Sequence, residues 1–134
     1  MKHHHLIKVR GFHTDMFGHV NNARYLEFLE EARWEFLEQY IDYNNWTKLG
    51  NAFIVANINI SYRRPSKLGE ILDIQSNISE LGNKSGVIHQ EIFLKDQNVR
   101  ITEADVSFVI IDVKTKKAIK IGGEIKEAFQ KNFL

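Results

Sequence analysis

The chain has 134 residues, of which 43% are hydrophobic and 26% charged, a balance that points to a folded globular domain and excludes an extended disordered chain. Its 18 Lys and Arg nearly cancel 17 Asp and Glu, so bulk charge offers no footprint for nucleic acid or an anionic membrane. The absence of cysteine excludes disulfides, thiolate metal sites, iron–sulfur clusters and a cysteine nucleophile, and makes a reducing cytoplasm the expected compartment.

The first residues, Met1 to Lys8, lack the apolar core of a signal peptide. No apolar run approaches the roughly 20 residues that span a bilayer, so no membrane insertion is expected. The run His3-His4-His5 reads as a solvated end, native or the remnant of a tag, and a mobile tail cannot preorganise metal ligands. Alternation from Leu6 to Phe12 predicts a first strand, and His13 to Asn22 a loop. Asn21 or Asn22 is suited to cap the helix that follows, because an Asn side chain accepts from an unpaired first-turn N–H. That helix is predicted from about Ala23 to Tyr40, with Tyr25, Leu29, Ala32, Phe36 and Tyr40 on one face and Leu26, Phe28, Trp34 and Leu37 widening it. An apolar face so broad implies a helix embraced by other structure.

Asp42 to Asn51 reads as a polar connector around Trp46. From Ala52 the period changes to two. Ile58, Ile60 and Tyr62 alternate with polar residues up to Pro65; Leu72, Ile74 and Ile78 carry the next strand; Leu81 to Gly86 is a hairpin connection. Val87 to Lys95 forms a further strand, and after a turn at Asp96-Gln97-Asn98, Val99 to Val113 forms a long one. Val106 to Ile111 is apolar on both faces, as for a strand covered on each side. Glu124 to Asn132 fits a short amphipathic helix. Successive strands joined by short turns are expected to pair as neighbours, which gives a single α+β domain over residues 1–134, about five antiparallel strands wrapped round one long central helix.

Several catalytic motifs are absent. The string Gly82-Asn83-Lys84-Ser85-Gly86 places its serine one position late for a nucleophile elbow and lacks the upstream glycine of a P-loop. His13 and His19 flank Asp15, a weak metal signal without a fourth ligand, so no metal is expected. What remains is the Asp15 loop running into a helix start. First-turn N–H groups lack intrahelical partners and carry the positive end of the helix dipole. They can stabilise an oxyanion while a nearby carboxylate attacks or activates water. Gly18 permits a tight turn after Asp15. By spacing alone Asp15 reads more readily as a turn or cap residue.

The run His13-Thr14-Asp15-Met16-Phe17-Gly18-His19-Val20-Asn21-Asn22-Ala23-Arg24-Tyr25, continuing to Arg33, closely resembles the Asp-x-x-Gly-His-Val-Asn-Asn-x-x-Tyr signature of hotdog-fold acyl-CoA thioesterases of the 4-hydroxybenzoyl-CoA thioesterase group. Asn57 to Pro65 and Asn83 to Gly86 extend the likeness over nearly the whole chain, towards the bacterial long-chain thioesterases of fatty-acid degradation. The resemblance implies the hotdog fold, hydrolysis of medium- to long-chain fatty acyl-CoA, and Asp15 as nucleophile or general base. It also implies a backbone N–H near Asn22 on the thioester carbonyl, and a homodimer or homotetramer with the active site at the subunit interface. Coenzyme A is then part of the substrate and no cofactor is expected. Tyr25 and Leu29 are the candidates to line the acyl chamber. Arg63, Arg64, Lys67, Lys84 and Ser85 are the candidates to meet coenzyme A. A hotdog hydratase using His13 or His19 with a carboxylate, and a non-catalytic acyl-CoA binding module, are the alternatives on the same fold.

Overall fold

A computed structural model describes residues 2–131 of the chain. In chain order it contains β1 (His3–Lys8), a short 3-10 turn (Gly11–His13), α1 (Asn22–Leu37), α2 (Tyr43–Leu49), β2 (Asn51–Tyr62), β3 (Ile71–Leu81), β4 (Ser85–Leu94), β5 (Arg100–Asp112) and α3 (Gly123–Lys131). The strands make one antiparallel sheet in the order β1-β3-β4-β5-β2. A five-stranded antiparallel sheet packed on α1 is the hotdog architecture that the sequence resemblance implies.

The period of the apolar residues dictates this packing. Tyr25, Phe28, Leu29, Ala32, Phe36 and Leu37 recur at three- and four-residue steps and are the buried face of α1. The first four join Leu72, Ile74, Ile92 and Ala104 in one cluster. Phe36 and Leu37 join Ile78, Ile88, Val106 and Phe108 in a second. Burying each large side chain of this kind contributes about 1.5–3 kcal/mol. A polar layer lies between them: the Gln90 amide donates to the Leu29 carbonyl at 3.1 Å and to Ser76 Oγ at 2.9 Å, and its oxygen accepts from Arg33 at 3.1 Å. A buried amide so fully paired pins α1 to β4 at one register.

Five local readings differ from the sequence expectations. β1 starts at His3 and ends at Lys8, because His3–Lys8 pair with Ile71–Ser76 while Gly11–His13 turns away from the sheet. The three histidines are therefore a paired strand and not a solvated tail: His5 bonds Glu31 at 2.6 Å and also Glu35, and His4 bonds Asp73 at 2.9 Å. The connector after α1 holds α2, capped by Asp42 accepting from the Asn44 and Asn45 N–H groups and closed by the left-handed Gly50. β2 pairs with β5 and not with β3, since the segment from Arg63 to Glu70 is too long for a hairpin and carries the chain across the sheet. In β5, Val106, Phe108 and Ile110 are buried whereas Val109 and Ile111 are half-exposed, so one face is covered and not both. The terminal helix falls within one residue of expectation; Asn132 lies outside the described residues. Among the described residues no helix is long and apolar enough to cross a membrane.

Gly86 sits opposite Phe108 in the β4–β5 pair, where an added β-carbon would meet the Phe108 ring at 2.6 Å and the Glu80 carbonyl at 2.9 Å. Phe108 cannot withdraw easily, being stacked on Phe53 at 4.6 Å. Gly86→Ala is expected to cost about 1–3 kcal/mol in urea denaturation, and Gly82→Ala, whose β-carbon meets nothing closer than 3.5 Å, less than about 0.5 kcal/mol. Equal losses at the two positions would contradict the packing described.

Candidate active site

The loop between β1 and α1 is shaped by its own backbone. The Asp15 N–H donates to the His19 carbonyl at 2.8 Å and the Gly18 N–H to the Asp15 carbonyl at 3.1 Å. Closing so tight a turn requires a left-handed residue, and Gly18 has φ +76°. The Asp15 side chain is held by the same turn, Oδ1 accepting from the Phe17 N–H at 2.9 Å and the His19 N–H at 3.4 Å. Oδ2 has no partner among the described residues, and Asp15 is solvent-exposed. One oxygen is thus anchored and the other free to act.

Asn21, in extended conformation, is the N-cap: its side chain accepts from the Ala23 N–H at 3.0 Å and its carbonyl from the Arg24 N–H at 2.8 Å. The Asn22 N–H has no partner among the described residues. It is an open donor at the positive end of α1. The Asn22 carbonyl accepts from the Tyr62 hydroxyl at 3.2 Å, which ties the first turn to the end of β2.

A cleft of about 330 Å³ brings Asp15 and Asn22 together with Tyr25, Arg63 and Arg64, and adds His19, Tyr62 and Pro65. Tyr25 is buried, its hydroxyl 2.6 Å from Ser66 Oγ, and burial raises its pKa above the usual phenol value. The Arg63 and Arg64 N–H groups both donate to the Ile101 carbonyl, which turns the chain out of the sheet there. The Arg63 guanidinium bonds Glu103 at 3.1 Å, while Arg64 makes no ion pair among the described residues.

Other candidates lie elsewhere. Leu29 is fully buried in the core and does not line the cleft, because its face of α1 turns to the sheet. Lys67 pairs through its backbone with His19, beside the cleft and not in its wall. Lys84 and Ser85 belong to the β3–β4 hairpin, at the far end of β3 from the Asp15 loop. From Ile71 to Leu81 that strand extends about 30 Å. Tyr62 and Ser66 carry no local signal of a site in the sequence. Alternation makes Tyr62 look like a core position, and only the end of β2 leaves it 46% exposed.

His13 is spent on structure. Its Nδ1 accepts from the Arg10 N–H at 2.9 Å, its ring stands on Phe28 at 4.9 Å, and burial followed by Arg24 lowers its pKa. Among the described residues His89, Glu91 and Glu103 have metal-ligand spacing, on the opposite sheet face. There Arg100 already bonds Glu91 at 2.7 Å and Lys2 bonds it at 3.2 Å. Burial pushes the Glu91 carboxyl up, but these cations and His89 outweigh it and hold the group below the usual value.

The description "Thioesterase-like superfamily" matches residues 10–129. The chain is 48% identical to the Escherichia coli long-chain acyl-CoA thioesterase FadM over 92% of its own length and 94% of that protein. It is 32% identical to the acyl-CoA thioesterase YbgC of Haemophilus influenzae over 87% of the chain and 85% of that protein. The crystal structure of YbaW, a probable thioesterase from Escherichia coli, superposes with a TM-score of 0.86 at 46% identity, over 98% of both chains.

The two asparagines at the helix start make different contacts and are expected to respond differently. Asn21→Ala removes the cap and is expected to cost about 1 kcal/mol. Asn22→Ala is expected to change stability by less than about 0.5 kcal/mol. Chemical denaturation of the two variants checks this, and a larger loss at Asn22 would reverse the assignment.

Proposed function

The chain belongs to the thioesterase-like superfamily, and from that premise we propose that it is a cytoplasmic acyl-CoA thioesterase, one domain long, that hydrolyses medium- to long-chain fatty acyl-CoA to free acid and CoA. The observation that carries the reading is the unpartnered Asp15 carboxylate oxygen in one cleft with the open Asn22 N–H at the start of α1. The thioester oxygen accepts from that N–H, which stabilises the oxyanion formed on attack; one donor of this kind is worth about 100- to 1,000-fold in rate. Asp15 then acts in one of two ways. As nucleophile it attacks the thioester carbon and expels the CoA thiolate, and water cleaves the resulting anhydride. As base it takes a proton from the water that attacks directly. Both routes give the same products.

Tyr25 lines the acyl side. Arg64, without a carboxylate partner, and Arg63 bind the CoA phosphates by charge-assisted hydrogen bonds, with Lys67 beside them. β2 pairs only with β5 and leaves one edge open. We propose that two copies join there into a homodimer that assembles further to a tetramer, and that Lys84 and Ser85 meet CoA held by the other copy. Coenzyme A is substrate, and neither cofactor nor metal takes part.

Asp15→Asn is expected to lower release of CoA from palmitoyl-CoA, followed with a thiol reagent, by about 100- to 10,000-fold. A rate like that of the unaltered protein would remove Asp15 from the mechanism. Consumption of an enoyl-CoA without thiol release would indicate a hydratase using His19, and tight binding with no turnover a binding module.

A further inference from the structure

Arg33 and Tyr43 take no part in the chemistry above, yet each has an unmet polar demand. Arg33 is 7% exposed. Among the described residues its one hydrogen bond goes to the neutral Gln90 oxygen at 3.1 Å, and no carboxylate pairs with it. A buried cation without a counter-charge is strongly disfavoured unless something supplies one. The Tyr43 hydroxyl is also buried without a partner. Burial, and secondarily Glu38, push its pKa up to about 12, so it stays a donor at physiological pH.

Both residues line one pocket between α1, α2 and the first half of β2, with Trp34, Leu37, Phe53 and Val55 as apolar walls. Trp34 and Tyr43 stand with ring centroids 4.7 Å apart. The one carboxylate in the lining, Glu30, is exposed and accepts from the Trp34 indole N–H at 3.3 Å; its charge favours the Arg33 cation without forming an ion pair with it, and the Tyr43 hydroxyl remains unpaired among the described residues. From Asn22 to Arg33 the helix advances about 16 Å, which separates this pocket from the thioester end of the cleft.

We propose that this pocket binds a carboxylate carried on an apolar chain, with the Arg33 guanidinium and the Tyr43 hydroxyl donating to its oxygens and the aromatic and aliphatic walls holding the chain. The carboxylate has two sources: a free fatty acid, which is the product of the reaction proposed above, or the far end of an acyl-CoA that itself terminates in a carboxyl group. The choice between them rests on the acyl-CoA reading; the chemistry of the pocket does not.

Calorimetric titration of the full chain with dodecanoate and with dodecanol, supported by Trp34 fluorescence, tests the proposal. Dodecanoate is expected to bind at least about tenfold tighter than the alcohol. Tyr43→Phe is expected to weaken the acid about three- to tenfold and leave the alcohol unchanged. Arg33→Met is expected to erase the difference between them; should losing the Gln90 contact unfold that variant, Tyr43→Phe decides alone. No saturable binding, equal affinity for acid and alcohol, or indifference to Tyr43→Phe overturns the proposal. A preference in kcat/KM for dodecanedioyl-CoA over dodecanoyl-CoA that Tyr43→Phe removes assigns the carboxylate to the substrate. Dodecanoate binding without such a preference assigns it to the free acid. Failure to hydrolyse either ester, with dodecanoate binding intact, rejects the acyl-CoA reading and leaves the pocket standing.

Discussion

Between Tyr25 and Leu37 the apolar side of α1 is taken out of water by the inner face of the sheet, and the Gln90 amide bonds the Leu29 carbonyl in the middle of that contact. A helix held by both apolar burial and a satisfied buried amide cannot slide or rotate without leaving polar groups unpaired. Its first turn is therefore fixed in space. Everything near that turn takes its position from it: the Asn22 carbonyl receives the Tyr62 hydroxyl, Tyr25 reaches Ser66, and the Ser66 carbonyl in turn accepts from the Val20 N–H at 2.9 Å. The Asp15 loop is thus tied through Val20 to the segment after β2, and its free oxygen and the helix dipole share one cleft.

The polar demands of the molecule are met unevenly, and the unevenness divides its surfaces by use. On the outer sheet face the acids are paired with cations, Glu91 with Lys2 and Arg100, and Glu103 with Arg63 and Arg100. In the cleft, by contrast, an N–H, a carboxylate oxygen and the Arg64 guanidinium stand without partners among the described residues. In the pocket beside β2 the Tyr43 hydroxyl is likewise without a partner among the described residues, and Arg33 meets only the neutral Gln90 oxygen and no carboxylate. The cleft groups are exposed and bond water until a ligand replaces it, whereas the buried Tyr43 hydroxyl bears the cost of an unpaired group in the core.

Much of the fold is legible in the residues themselves. The wide apolar period from Tyr25 onward and the switch to alternation after Ala52 identify α1 and the strands, because both report which side each residue turns to the core. Pairing order is not legible in that way: alternation says which face of β2 is buried but not which strand lies beside it, and the long segment from Arg63 to Glu70 decides this by crossing the sheet. The histidines near the start mislead for a related reason, since their partners Glu31, Glu35 and Asp73 are distant in sequence. At the site, Asp15, Gly18 and the asparagine cap are visible locally, because turn and cap chemistry depends on adjacent residues. Tyr62, Ser66 and the burial of Arg33 are not, since each depends on contacts some 40 or more positions apart, such as Tyr25 to Ser66 and Arg33 to Gln90.

In the proposed reaction the first turn of α1 polarises the thioester carbonyl. Its most direct measurement is the infrared stretching frequency of a carbon-13-labelled thioester carbonyl in palmitoyl-CoA bound to the Asp15→Asn protein. A shift to lower frequency than in water is the expected result, since a preorganised N–H on the dipole axis weakens the bond more than solvent does. A frequency unchanged from water would contradict it.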